Sequence, residues 1–317
     1  MIAHTPSRGR LVAAFAAVYL IWGSTYLAIR FAIDTMPPFT MAGVRFVIAG
    51  GALYVWLRAR GVARPAPQHW RSALLIGALM LLGGNGGVVW AEQFVPSGLA
   101  ALLVATVPLW VVLLVWITGR GRPSLLVVAG LLVGFCGVFF LVGPERIAGG
   151  ARVDPNGALV LVLAALAWAM GSLYSREAHQ APSQPLAAAM TMLAGGVLLL
   201  AAGAVAGELP ALDVASVSLR SWIAFWYLVV FGALVAFSAY VWLMRSTTPT
   251  RAATYAYVNP IVAVVLGWIL AAEPLNPRVI IAAGVIVGAV ALIVTGPGTV
   301  SGRVVRHRRT ATDSTAP

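Results

Sequence analysis

Ten stretches of this chain run for about the length of a membrane-crossing helix, roughly 20 residues, with almost no charged side chain inside them: 11–32, 39–57, 71–92, 97–118, 124–142, 156–175, 186–206, 221–244, 252–271 and 278–296. A soluble domain cannot tolerate that pattern. With 61% hydrophobic and 9% charged residues, against roughly 25% charge in soluble domains, there is too little polar surface to cover a water-soluble globule. The expected fold class is therefore all-α and integral to a membrane, with ten transmembrane helices. The first stretch is interrupted by Trp22-Gly23-Ser24-Thr25 and is long for a signal peptide, so it is read as a retained helix.

Charge sets the orientation. The net charge is +12, but the arginines lie in the gaps between apolar runs, where they act as topology signals rather than as a nucleic-acid surface. One set of alternate segments holds Arg8, Arg10, Arg58, Arg60, Arg64, Arg71, Arg120, Arg122, Arg176, Arg245, Arg251, Arg303, Arg306, Arg308 and Arg309; the other holds only Arg146, Arg152, Arg220 and Arg278. The positive-inside rule places the first set, and both termini, in the cytoplasm. Asp34, Glu92, Glu145, Asp154, Glu208, Asp213 and Glu273 then face outward. The segment 297–317 is polar and Arg-rich and reads as a disordered cytoplasmic tail. Cys136 is the single cysteine, so no disulfide can form within the chain.

The chain also repeats itself. An offset of 152 takes Trp90 to Trp242, Pro108 to Pro260 and Trp116 to Trp268; an offset of 146 takes Trp22 to Trp168 and Arg30 to Arg176. Each half, 11–143 and 155–296, holds five of the spans. An odd number makes the second half enter the membrane from the opposite side, an inverted repeat. Such repeats support two similar conformations, one open to each side, around a site near the midplane. Duplication for packing alone is the alternative.

Residues able to line that site are few. Pro108 and Pro260 lie inside spans, where each removes a backbone donor and frees a carbonyl four residues earlier, so both are expected to break their helices. Thr106, Tyr255, Tyr257 and Asn259 flank these breaks. Asn85 is the only side chain within Gly83-Gly84-Asn85-Gly86-Gly87. Trp22, Tyr26 and Arg30 form one helical stripe with Ser24 beside it, and Trp168, Ser172 and Arg176 form its counterpart. Packing kinks and interfacial aromatic belts are the plainer readings of these features. Arg45 sits inside the second span, about 9 Å from its outer end at 1.5 Å per residue, where charge is costly and functional by default. Glu92 and Asp34 fall on the same side, so Arg45, Glu92 and Asp34 are expected to form an outer gate.

No Asp or Glu lies near the centre of a span, and no nucleotide-binding motif, metal-ligand cluster or catalytic pair appears within the spans. The sequence calls for no cofactor, metal or enzymatic activity. Energy coupling is left to a proton on a peripheral carboxylate such as Glu92 or to a counter-substrate, with an uncoupled uniporter as the alternative. A channel, or a non-transporting membrane subunit, remains open as an alternative to a carrier.

The motifs Ile21-Trp22-Gly23-Ser24-Thr25-Tyr26, Ala42-Gly43-Val44-Arg45-Phe46, Gly84-Asn85-Gly86, Val95-Pro96-Ser97-Gly98, Ala105-Thr106-Val107-Pro108 and Tyr255-Ala256-Tyr257-Val258-Asn259-Pro260 resemble the EamA-type members of the drug/metabolite transporter superfamily, and among them the YedA-like inner-membrane permeases. The resemblance covers about residues 11–296. Gln93 departs from it, standing where a more basic residue is expected. The resemblance implies two EamA repeats in a bacterial inner membrane and a central cavity lined by helices 1, 3, 4, 6, 8 and 9. It also implies export of a small-molecule substrate, an amino acid, a related metabolite or a toxic compound. On this basis Trp22, Ser24, Tyr26, Asn85, Thr106, Trp168, Ser172, Tyr255, Tyr257 and Asn259 are expected to line the substrate cavity.

Overall fold

A computed structural model describes residues 7–119, 123–142, 154–211, 213–247, 252, 255–275 and 277–295. The described residues contain helices and no strand. In chain order the long helices are α1 (Arg8–Ile33), α2 (Pro38–Ala59), α3 (Pro67–Ala91), α4 (Ser97–Ile117), α5 (Leu125–Val142), α6 (Pro155–Glu177), α7 (Gln184–Val205), α8 (Leu219–Ser246), α9 (Tyr255–Ala271) and α10 (Pro277–Thr295). Among the described residues seven, α1 to α4 and α6 to α8, are long and apolar enough to cross a membrane, and the apolar parts of α5, α9 and α10 are shorter. Arg303 and the rest of the basic tail lie outside the described residues.

Local chemistry sets the helix ends. Proline stands in the first turn of α2, α3, α6 and α7, where its missing N–H is one of the unsatisfied donors in any case. Asp154 caps α6 by accepting from Gly157 N at 2.6 Å, and Ser218 caps α8 by accepting from Ser221 N at 3.1 Å. Gly61 and Gly207 follow α2 and α7 with φ of +80° and +76°, the left-handed geometry that lets the chain turn off a helix end.

Three helices carry widened, π-type turns: Ala17–Ile21 in α1, Gly77–Gly86 in α3 and Leu228–Phe237 in α8. The last two are related by 151 residues at both ends (228 − 77 and 237 − 86), one away from the offset linking Trp90 to Trp242. The glycine-rich stretch of α3 is therefore widened, not unwound. Each such turn displaces a hydrogen bond by one residue and re-aims the carbonyls around it. In α4 the helix stops at Val104, makes a turn at Ala105–Thr106 and resumes at Val107, so Pro108 sits just after a break. Pro260 lies inside α9, and the helix continues through it.

The two halves interlock around a common axis. α2 packs on α7, α5 on α10 and α4 on α9; α3 packs on α6 as α8 does on α1; and α3 meets α7 as α2 meets α8. Each of these pairings has its counterpart when the halves are exchanged. Glycines allow the closest approaches. Gly43 faces Leu200, Gly196 faces Val47 and Gly50 faces Met192, so α2 and α7 run antiparallel. Gly134 faces Ala289 and Gly137 faces Ile286, so α5 and α10 do as well. Large apolar side chains cover the outside of the bundle, with Leu125 89% and Leu219 75% exposed. A bundle that displays such residues buries them in lipid rather than water.

Candidate functional site: a cavity where the halves meet

A cavity with about 710 Å³ of empty space, open solvent at its mouth included, lies between α1, α2, α3, α4, α6, α8 and α9. Its walls are built from both halves. Trp22 and Trp168, the repeat-related tryptophans, touch edge to face with ring centroids 5.5 Å apart. Trp22 also packs on Tyr240 at 5.0 Å and on Tyr255 at 5.5 Å, and Tyr240 packs on Trp168 at 5.8 Å and on Tyr255 at 5.9 Å. Such tilted and edge-on pairs gain beyond burial alone and hold the rings as one layer.

The widened turns supply acceptors to this layer. Trp22 Nε1 donates to the carbonyl of Gly232 at 3.3 Å, inside the widened part of α8. Oriented by its acceptors, the Asn259 amide nitrogen donates to the carbonyls of Tyr19 at 3.0 Å and Tyr255 at 3.2 Å. Tyr19 belongs to the widened turn of α1. An irregular backbone in a membrane helix must find partners of this kind.

Among the expected residues, Trp22, Tyr26, Asn85, Trp168, Tyr255 and Asn259 line the cavity together with Arg45. Ser24 is turned away, sharing a hydrogen bond with the Tyr227 hydroxyl at 2.6 Å and donating to the carbonyl of Ile21 at 2.8 Å. Thr106 is buried and donates to the carbonyl of Leu103 at 2.6 Å, which satisfies the break in α4 instead of a ligand. Ser172 supports the aromatic layer through a 3.0 Å hydrogen bond with the Tyr240 hydroxyl. The Tyr257 side chain lies outside the described residues. Thr25, which flanks the Trp22 stripe, lines the cavity as well, Phe46, Gly232 and Phe237 line it without having been picked out from the sequence, and Tyr240 completes its aromatic layer. Tyr240 lies 152 residues after Val88, so the repeat gave no signal for it.

Arg45 is 3% exposed. Its Nη2 donates to Asn85 Oδ1 at 2.7 Å, and its guanidinium lies 4.2 Å from the Phe46 ring centre. Arg30, Arg45 and Glu273 are all within electrostatic reach of Glu92. Glu92 is fully buried, and among the described residues neither of its carboxylate oxygens has a hydrogen-bond donor; Arg30 Nη1 donates to its main-chain carbonyl at 2.9 Å. Asp34 stands apart and meets Arg220 at 4.0 Å. The three residues expected to act together thus have different partners: Asn85 for Arg45, Arg220 for Asp34, and no donor for the Glu92 carboxylate.

Polar contacts between the halves gather at the end of the bundle that carries these acids. Glu208 accepts from Phe39 N and Thr40 N at 3.1 and 2.7 Å. Glu273 accepts from Ser97 N at 2.7 Å and Gly98 N at 3.0 Å. Ser221 Oγ donates to the carbonyl of Phe31 at 2.7 Å and accepts from Thr35 Oγ1 at 2.9 Å. At the opposite end a second space, lined by Ser175, Arg176, Gln180 and Arg245, shares Phe237 with the central cavity and is bounded by Tyr240. Arg245 there donates to the Ala181 carbonyl, a contact within the second half.

The model of the EamA-like transporter family matches this chain twice, over residues 9–143 and 155–295. The chain belongs to that family. It is 42% identical to the Escherichia coli (strain K12) protein described as "Uncharacterized inner membrane transporter YedA", over 90% of this chain and 91% of that one. "Uncharacterized transporter YoaV" of Bacillus subtilis is 25% identical over 86% of this chain and 93% of its own. A crystal structure superposes with a TM-score of 0.62 at 23% identity, covering 90% of this chain and 98% of that one, a likeness of fold. Family, apolar helices and inner-membrane relative together make this a multi-pass transporter of a bacterial inner membrane.

Proposed function

We propose that the chain is an alternating-access carrier that exports small organic molecules, metabolites such as amino acids and related compounds or toxic compounds, through the central cavity. In this reading all ten long helices cross the membrane as two inverted five-helix repeats. The arginine-rich loops and both termini lie in the cytoplasm, and the end bearing Asp34, Glu92, Glu208 and Glu273 faces outward. The antiparallel run of α2 against α7 and of α5 against α10 supports the inversion, because repeat-related helices point opposite ways only if the relating axis lies in the membrane plane.

The observation that carries the proposal is the placement of Trp22 against Trp168, 5.5 Å apart, in the wall of a cavity whose polar fastenings between halves gather at one end. A rocking motion of one half on the other would release those fastenings and expose the same cavity to the opposite side. Trp22, Tyr26, Asn85, Trp168, Tyr255 and Asn259 would contact the substrate. Ser24, Thr106 and Ser172 would hold the wall behind it, Arg45 and Glu92 would lie between cavity and outer end, and coupling would come from a proton or a counter-substrate.

Solute counterflow tests this. Proteoliposomes are preloaded with unlabelled amino acids, then with aromatic acids and organic cations, and trace uptake of the labelled compound is followed without a pH gradient. A transient overshoot that saturates, and that Trp22→Ala and Asn259→Ala reduce in well-folded protein, is the expected result. Flux that rises linearly with concentration and shows no overshoot would identify a channel instead. Overshoot unchanged in both variants would move the substrate path elsewhere.

A further inference from the structure

The cavity's charge and shape narrow what it can hold. Among the described residues that line it, Arg45 is the only charged one, and no Asp or Glu lines it. The Arg45 guanidinium is buried, yet among the described residues its Nε–H has no acceptor and no carboxylate lies within ion-pair distance of it. Among the described residues its one hydrogen bond goes to a neutral group, the Asn85 amide. A buried cation with an unsatisfied donor is costly, and an anion in the cavity would offset that cost. Glu92 does not fill that role, since its own oxygens have no donor.

The rest of the wall is aromatic. Trp22, Trp168, Tyr26 and Tyr255 present ring faces and edges to the same space. Rings of this kind also attract cations, but a cation here would share a low-dielectric space with Arg45 and find no carboxylate among the described lining residues. A zwitterion would satisfy Arg45 and leave its ammonium without an anionic partner.

We propose that the cavity binds a compact organic anion, a carboxylate on an aromatic or bulky apolar body, with the carboxylate at the Arg45 guanidinium and the body against Trp22 and Trp168. The proposal rests on the cavity being the transport site.

The test uses three probes that share one phenethyl body: 3-phenylpropionate (anion), L-phenylalanine (zwitterion) and 2-phenylethylamine (cation). Each is titrated against the purified full chain in detergent while its melting temperature is followed, and each is then assayed for counterflow. The acid alone should raise the melting temperature by several degrees. Asn85→Asp, nearly isosteric, sets a carboxylate against the guanidinium and should weaken the acid about tenfold or more, the scale of one charge-assisted hydrogen bond. Arg45→Gln should do the same. Stabilisation by the amine or the amino acid equal to that by the acid, an acid effect unchanged in Asn85→Asp, or no shift with any probe would overturn the proposal. Counterflow of the amine or amino acid without the acid would overturn the anion but keep the carrier. Stabilisation by the acid with no counterflow of any probe would keep the anion site and remove the carrier.

Discussion

Glu273, in the second half, accepts hydrogen bonds from both the backbone N–H and the hydroxyl of Ser97, in the first half, each at 2.7 Å. Its other oxygen takes Gly98 N at 3.0 Å, so one carboxylate satisfies the start of α4 across the repeat boundary. This is N-capping supplied from another helix, and it complements the positive end of the α4 dipole. The side chain fits because position 267 is glycine: a Cβ there would stand 2.4 Å from Glu273 Oε2. Glu273→Ala should therefore cost about 1 kcal/mol, within the range for losing a cap, and speed amide exchange over the first turn of α4. Gly267→Ala should reproduce both effects with Glu273 still present. Melting curves in detergent and exchange mass spectrometry check this. Slow exchange at Ser97–Ala100 in either variant would show that the cap does not hold that helix end.

Ala272 joins α9 to Glu273 with φ of +51°, a left-handed conformation that Cβ disfavours. Ala272→Gly should raise stability by roughly 0.5–1 kcal/mol, the excess of relieved strain over the extra freedom glycine brings to the unfolded chain. The melting temperature should rise by a small, reproducible amount. A fall would mean that the turn at Ala272 is not left-handed in the folded protein.

The seven helices long and apolar enough to cross a membrane, and the correspondence of Trp22 with Trp168, could be read from the chain, because hydrophobic run length and an internal offset are linear properties. Partner choice among the polar residues was not legible. Asp34, Glu92 and Arg45 fall toward the same end of the bundle, but helix rotation decides which face each one turns inward, and the span pattern of a nearly uniform apolar helix does not fix rotation. Packing gives Arg45 to Asn85 and Asp34 to Arg220. The widened turns of α1, α3 and α8 were equally hidden, because composition does not specify whether a carbonyl pairs four or five residues on. Tyr240 escaped notice for a third reason: alone in an apolar run and without a repeat counterpart, it became significant only when the fold set its ring among Trp22, Trp168 and Tyr255.

Gly77, at the start of the widened part of α3, faces backbone rather than side chains. A Cβ there would lie 2.7 Å from Gly195 N and 3.1 Å from the carbonyl oxygen of Thr191. Backbone atoms cannot rotate away, so Gly77→Ala must push α3 from α7. The expected loss is about 2 kcal/mol, typical of overpacking, with a lower yield of folded protein on size-exclusion chromatography. Gly51 in α2 is the control, since its added Cβ would meet only Leu193 Cδ2 at 3.9 Å. Gly51→Ala should leave stability unchanged or slightly raised. Equal behaviour of the two variants would mean that α3 and α7 are not in backbone contact.

Tyr240 separates the central cavity from the space at the arginine-bearing end, and its ring and hydroxyl do different things. The ring packs on Trp22, Trp168 and Tyr255, while the hydroxyl is bonded to Ser172 at 3.0 Å. Tyr240→Phe keeps the ring and should cost about 1 kcal/mol for the lost hydrogen bond, leaving the partition shut. Tyr240→Ala removes the ring and should join the two spaces. A cysteine introduced at Ala164, a lining position, in a Cys136→Ser background reports the difference. A membrane-impermeant maleimide added at the arginine-bearing face should label it in Tyr240→Ala and leave it unlabelled in Tyr240→Phe and in the parent. Labelling in the parent at the same rate as in Tyr240→Ala would show that the aromatic layer does not close the cavity from that side.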